Sequence, residues 1–546
     1  MRLRVHRFPA PGWVLFSLLF FFLSTNGNAI PAFSRLYQTS CATCHVDFPK
    51  LNDFGKAFKD AGFKFPKDDE TYLKVPPVLL GAPAQKDVWP KTIWPGEIPG
   101  LPPIGLRYNS FFQVTSGNRS QFNSLAAPGT VPQFIPATDF ESGFFSIFTA
   151  GNFGSDVAFW VDDDISVGGD NSAGTLGDGY LKFVNIGRVL HLPTDSLTLR
   201  VGQFELELPF TQARTINLSP YDIYQESNIG AVNALAGQQN VANQFTFAGA
   251  AKGIELTGGH HYGGYYYALA IIDQNTSGID QPGNTSPYVP SATGGANGGV
   301  GFASDASAKA VYGRLAYRFN LERDPESRKA VQAAGATGPR DHTYLNIGTF
   351  YLGGRSRQAF VGATAEAAQA LLTAREPYYR AGGDFSFNYR KLNIYGLYMV
   401  GHDKNLLPAD ANGVPIMLPL SATGPVPVSF VTSTAAKFNG GFVQADFLAL
   451  PWIMLIARWD GVNSSADRIN GFTLADGTPY FAPLRSTRNR FTPGAQFLIH
   501  PNIKASFEYQ FRPEQYTSVT TTSTGLQLAV NPFRVNTALF GLEFVY

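Results

Sequence analysis

From Ile503 to Phe511 every odd-numbered residue is apolar, and from Lys504 to Arg512 every even-numbered one is polar. Val311 to Phe319 repeats the pattern with Arg314 and Arg318 on the opposite face, and Tyr379 to Tyr389 places Arg380, Asp384, Ser386 and Asn388 together. Alternation of period two sends successive side chains to opposite faces of a strand. Between Leu197 and Leu208 the apolar set changes phase at Gly202, which predicts a bulge there.

About sixteen such segments follow one another, near 105–115, 139–150, 155–166, 179–187, 196–209, 244–257, 260–273, 308–320, 342–353, 378–389, 391–402, 437–449, 452–463, 486–499, 502–512 and 535–546. Short connections alternate with long ones (116–138, 210–243, 274–307, 403–435, 464–485 and 513–534). A transmembrane β-barrel has this form, with short periplasmic turns and long external loops. The fold class is therefore mainly β: an antiparallel barrel of about 16 strands over residues 104–546, with both ends in the periplasm. The connection 321–341 breaks the rule by being long and charged, which fits a solvated insertion or a short helix.

Composition agrees with a membrane barrel. There are 45 Phe, 24 Tyr and 56 Gly, but only 15% charged residues. The net charge of +1 argues against a nucleic-acid partner, and the alternating exterior makes outer-membrane lipid the expected surroundings. Phe540, Leu542, Phe544 and Tyr546 share one face of the last segment and end the chain on an aromatic. This resembles the terminal strand of bacterial outer-membrane proteins. Residues 1–29 read as a signal peptide, with Arg2, Arg4 and Arg7 ahead of the apolar run Trp13–Leu23.

The only two cysteines lie in Cys41-Ala42-Thr43-Cys44-His45, the C-x-x-C-H spacing of a c-type haem attachment site. Two thiols add across the haem vinyl groups and the adjoining His ligates the iron. A redox dithiol, a structural disulfide and half of a zinc site are the alternatives; the zinc site lacks a second cysteine pair, and the dithiol needs no His. Residues 30–65 form the expected haem module. Phe54, Ala57, Phe58 and Ala61 recur at helical spacing, Gly62 stops the helix, and Lys56 and Lys59 face outward or meet the propionates. Residues 66–103, with nine prolines and with Trp89 and Trp94, predict an extended linker.

A module of this size cannot bury a sufficient core alone, so the lumen is its expected host and the module its plug. No Met in the mature chain precedes Met399, and the next His after His45 is His191. Candidates for the sixth iron ligand are His191, His260, His261, His402, His500, Met399 or a water.

Pro31–Arg35, the C-x-x-C-H motif, Phe48–Phe58 and Gly62-Phe63 together resemble the N-terminus of fused outer-membrane cytochrome–porins, best studied in iron-oxidising bacteria. The resemblance covers roughly residues 31–65. It implies one covalent haem c on Cys41 and Cys44 with His45 as axial ligand. It also implies electron transfer from an extracellular redox donor such as Fe(II) to periplasmic carriers of the cytochrome c type. Asp162, Asp163 and Asp164 near the outer end of the third strand would attract Fe(II) or simply solvate a loop. The competing readings are a diffusion porin with a haem-binding segment and, last, a haem enzyme, which needs an acid–base residue beside an open iron. The expected role is thus electron transfer rather than that of a classical enzyme.

Overall fold

The computed structural model describes residues 32–65, 104–115, 138–166, 175–210, 216–226, 250–273, 309–321, 343–360, 372–414, 428–464, 489–511 and 536–545, apart from positions 48, 154–155, 405, 433–434 and 501. It also describes short strand pairs elsewhere, among them Val78–Leu79 with Glu97–Ile98 inside the proline-rich stretch. The signal peptide, the rest of 66–103 and the charged connection 321–341 beyond Leu321 lie outside the described residues.

A closed barrel of sixteen strands is the body of the protein. The strands are β1 Ile104–Thr115, β2 Thr138–Phe153, β3 Val157–Ser166, β4 Thr175–Phe183, β5 Thr198–Phe204, β6 Ala251–Gly259, β7 Gly264–Asp273 and β8 Lys309–Asn320. They continue as β9 Tyr344–Phe360, β10 Leu372–Tyr389, β11 Leu392–Asp403, β12 Ala436–Leu450, β13 Ile453–Ser464, β14 Asn489–His500, β15 Ile503–Gln510 and β16 Thr537–Val545. Each strand pairs with its sequence neighbour, and β16 closes on β1 from Thr537 opposite Thr115 to Val545 opposite Arg107.

The alternation sorts faces as expected, but inside out relative to a water-soluble protein. On β15, Lys504, Ser506, Glu508 and Gln510 are buried in the lumen. On β8, Arg314 and Arg318 point inward while Val311, Leu315 and Tyr317 stand exposed. Exposed Phe540, Leu542 and Phe544 continue that apolar exterior onto the closing strand. Such an exterior suits lipid, because a wall with no open edge leaves no backbone group unpaired in hydrocarbon.

The phase change at Gly202 is not a bulge. Both ladders of β5 run through it without a slip, with Gly202 opposite Tyr180 and Gly253. The even-numbered residues face inward throughout: Thr198 and Arg200 first, then Phe204, Leu206 and Leu208, all buried. Polarity changes because the chain leaves the wall after Phe204 and folds into the lumen, where those apolar side chains find a packed interior. The stretch 210–243, expected as an external loop, is internal over residues 216–226, which end in the short helix α3, Asp222–Glu226. It is anchored to the far wall. Glu508 accepts from Leu218 N (2.7 Å) and Ser219 N (3.1 Å), Arg458 donates to Ser219 O (3.0 Å), and Arg490 pairs with Asp222 (3.0 Å). Tyr221 stacks on Phe442 at 3.8 Å between ring centres.

Candidate haem site at the short-turn end of the lumen

The two helices of the N-terminal module are α1, Ala32–Tyr37, and α2, Asp53–Asp60. Between them Cys41–Thr43 forms a single 3-10 turn, closed by Cys44 N donating to Cys41 O at 3.2 Å. Asn52 governs this turn. Its side chain donates to Ala42 O (3.1 Å) and Thr43 O (2.9 Å), and its backbone N–H reaches Cys44 O (2.9 Å). The same side chain caps α2 by accepting from Gly55 N at 2.8 Å. Gly55 is obligatory in turn, since a Cβ there would collide with the Cys44 carbonyl.

At the other end of α2, Gly62 has φ +80°, Gly62 N returns to Lys59 O and Phe63 N to Phe58 O (2.9 Å). This Schellman closure swings Phe63 back over α2 and onto Trp160 of β3, 5.4 Å between centres. The apolar face of α2 thus joins Phe33, Tyr37, Phe63 and Phe65 in one aromatic cluster, with Tyr37 stacked on Phe65 at 4.3 Å.

The polar face of α2 is bound to the barrel. Asp53 receives both Arg318 nitrogens at 2.7 Å. Lys182 donates to the last carbonyls of α2, Lys59 O (2.9 Å) and Asp60 O (3.2 Å), where a cation also complements the helix dipole. Lys50 reaches Asp446 (2.7 Å) and Asn393 (2.9 Å). All of these partners stand near strand ends on the side of the barrel that carries the short turns. Lys56 and Lys59, expected to face outward or meet propionates, are partly exposed and contact Asp53 (3.6 Å) and Glu207 (4.0 Å).

The residues at Cys41–His45 fit a c-type haem. Two free thiols sit on one turn, next to a His whose pKa burial pushes down to about 4, with Lys504 adding to the effect against the backbone at Pro49. It is the neutral imidazole that ligates iron. The thiols themselves argue against a redox dithiol, because burial raises Cys41 and lifts Cys44 to about 12. A reactive dithiol needs a depressed value. Among the described residues no cluster of three or more His, Cys, Asp or Glu is arranged to hold a metal ion.

The six distal candidates are spread around the barrel. His191 caps the turn Ile186–Leu190 with φ +57°, and His260 lies against Tyr262, 4.8 Å between ring centres. His261 bridges Asp60 (2.9 Å) and Glu207 (3.6 Å). His402 stacks with the exposed Tyr379, Met399 is fully buried, and His500 ends β14 opposite Ile503. Of the three aspartates on β3, Asp162 accepts from Asp178 N and so serves the β3–β4 ladder. Sequence reasoning gave no role to Asn52, although an Asn just ahead of an acidic first turn is a cap signal. It could not reach the pair Asp53–Arg318, whose members lie 265 residues apart.

Asn52→Ala removes the cap and strands two turn carbonyls, which costs about 2 kcal/mol or more; resistance of residues 30–65 to limited proteolysis should fall accordingly. The Asp60–His261–Glu207 bridge makes docking of the module depend on pH. Burial works against all three charges, yet His261 is raised by Asp60, Asp60 is lowered by His261, and Glu207 is lowered by Lys59 and His261. The His261 contribution is complete below about pH 6.5 and is lost as pH rises through its higher folded value. The two carboxylates contribute above about pH 4 and lose their share as pH falls through their depressed values. Protease sensitivity of residues 30–103 should be lowest between those limits.

No family model matches this chain, and no curated protein matches it. Solved structures with a similar fold include an anion-selective porin from Comamonas acidovorans (10% identity, 81% of this chain and 98% of that one, TM-score 0.42). Others are OmpT, an outer membrane protein of Vibrio cholerae (8%, 81% and 96%, 0.39), and OmpF of Salmonella typhi in complex with daunomycin (9%, 82% and 98%, 0.39).

Proposed function

We propose that this protein is an outer-membrane electron conduit: a porin-like barrel closed by a c-type haem module. In this reading it oxidises an extracellular donor such as Fe(II) and hands electrons to periplasmic carriers. The observation that carries the proposal is the attachment turn itself, preformed by Asn52 and Gly55 on a module bound to the lumen wall through Asp53–Arg318. Cys41 and Cys44 would hold the haem covalently and His45 its iron. When bound, haem supplies a one-electron Fe(II)/Fe(III) couple whose potential follows from ligation, burial and neighbouring hydrogen bonds.

The chain's own residues do the rest. The Phe33–Phe65 cluster keeps water from one side of the module, and Arg318, Lys182 and Lys50 fix the module at the short-turn end, next to the periplasm in the expected orientation. The infolded segment, pinned by Glu508, Arg458 and Arg490, narrows the lumen above it. The apolar exterior of the closed sixteen-stranded wall supports an outer-membrane location.

A diffusion porin with a haem-binding segment is the second reading, and the sixteen-stranded wall with its polar lumen favours it. Two measurements separate the readings. Purified protein should show c-type absorbance and a covalent haem mass, both absent from a Cys41→Ser, Cys44→Ser variant. In planar bilayers the intact protein should conduct little. Open channels of porin size, with or without haem, would favour the diffusion porin.

A further inference from the structure

A chamber of about 320 Å³ lies between the polar face of α2 and the infolded segment, and its rim reaches the short turns at His260 and Arg390–Lys391. Cys41, Cys44 and His45 do not line it, and it adjoins the C-x-x-C-H turn through Val46 and Asn52. Its volume is that of a small-molecule site.

The charge balance of the lining is uneven. Seven Lys and Arg face four Asp and Glu. Every one of those acids is already engaged: Asp53 by both Arg318 nitrogens at 2.7 Å, Asp446 by Lys50 at 2.7 Å, and Asp60 and Glu207 by His261 at 2.9 and 3.6 Å. Arg314 is answered from beyond the chamber by Asp384, at 2.6 Å. What remains is positive. Lys56 stands 3.6 Å from an Asp53 oxygen that Arg318 also holds, and its ammonium lies 5.8 Å from the centre of the Tyr344 ring. Arg390 and Lys391 add two further cations at the exposed rim. Cations set in a cleft with low-dielectric walls concentrate positive potential and draw in counter-ions. Asn346 and Ser386 on the same wall supply neutral polar groups.

We propose that this chamber binds a small oxyanion of carboxylate or phosphate type, admitted from the short-turn end, with Lys56 as the inner cation and Arg390 and Lys391 as the outer ones. The inference does not depend on electron transfer and would hold in a haem-free barrel as well.

The test uses the full haem-bearing chain in detergent, titrated calorimetrically with citrate and separately with inorganic phosphate at low ionic strength. Saturable one-to-one binding is expected, weakening with added salt as an ionic contact does. Lys56→Gln and Lys391→Gln should each weaken it about tenfold, the equivalent of 1.4 kcal/mol. Lys391 lies in an exposed turn, so its variant keeps the fold even if the Lys56 variant does not. Citrate binding without phosphate binding would assign a site for two or more carboxylates; competition between the two would assign one shared oxyanion site. No saturable binding of either anion overturns the proposal. So does an equal loss in Lys404→Gln, which carries a cation at the opposite end of the wall.

Discussion

Arg318→Met turns a closed barrel into a conducting one. Arg318 and Asp53 are both buried and meet through two parallel hydrogen bonds of 2.7 Å. Removing the guanidinium leaves a carboxylate at the N-terminus of α2 to the longer Lys56 contact at 3.6 Å, a loss approaching the roughly 3–5 kcal/mol of a broken buried pair. Some 35 residues of module have few other means to absorb it. The remaining ties, Lys182 to the last carbonyls of α2, Lys50 to Asp446 and His261 to Asp60, are contacts of a single nitrogen each, without the two parallel bonds of Arg318. The expected result is frequent single-channel openings in planar bilayers, against a parent protein expected to be nearly silent. Adding Asp53→Asn should restore most of the closure, since it removes the stranded charge.

The second large effect lies in the infolded segment. Glu508 accepts from Leu218 N, Ser219 N and Ser219 Oγ, so one carboxylate holds the turn that carries Tyr221 into the core of the lumen. Glu508→Ala also leaves Arg458, which donates to Ser219 O and Oγ, without that neighbouring carboxylate. Hydrogen bonds to a charged group contribute about 1.5–3 kcal/mol each and do not add fully, enough to free the segment from β13 and β15. By itself this variant should stay closed, because the module still fills the short-turn end. Combined with Arg318→Met it should conduct more than Arg318→Met alone, and a Ser219→Cys probe should become reactive to water-soluble thiol reagents.

The barrel was legible because its wall obeys one local rule. Ile503–Phe511 alternates without exception, and the structure places each residue of β15 on the face that alternation assigns. The strand count and the closing strand follow for the same reason, since an exterior in lipid and a polar lumen both act on single positions; boundaries follow less well, as at Thr175–Phe183 against an expected 179–187 and Ala251–Gly259 against 244–257. Interior contacts were not legible. Phe204, Leu206 and Leu208 carry the same alternation as a strand, so sequence pattern alone cannot say that they have left the wall. The ion pairs that seat the module join residues hundreds of positions apart, and no local signal marks Arg318 as the partner of Asp53 rather than another lumen charge. At the site, the attachment motif was explicit, while the turn's dependence on Asn52 and Gly55 came only from geometry.

Intact cells expressing the protein offer the most direct test of the conduit. The haem is followed by its absorbance while a membrane-impermeant Fe(II) chelate is added outside. Prompt reduction, absent from the Cys41→Ser, Cys44→Ser variant, is the predicted result. An unresponsive haem that a permeant reductant still reduces would contradict the account, confining the haem to periplasmic chemistry and leaving the barrel as a porin.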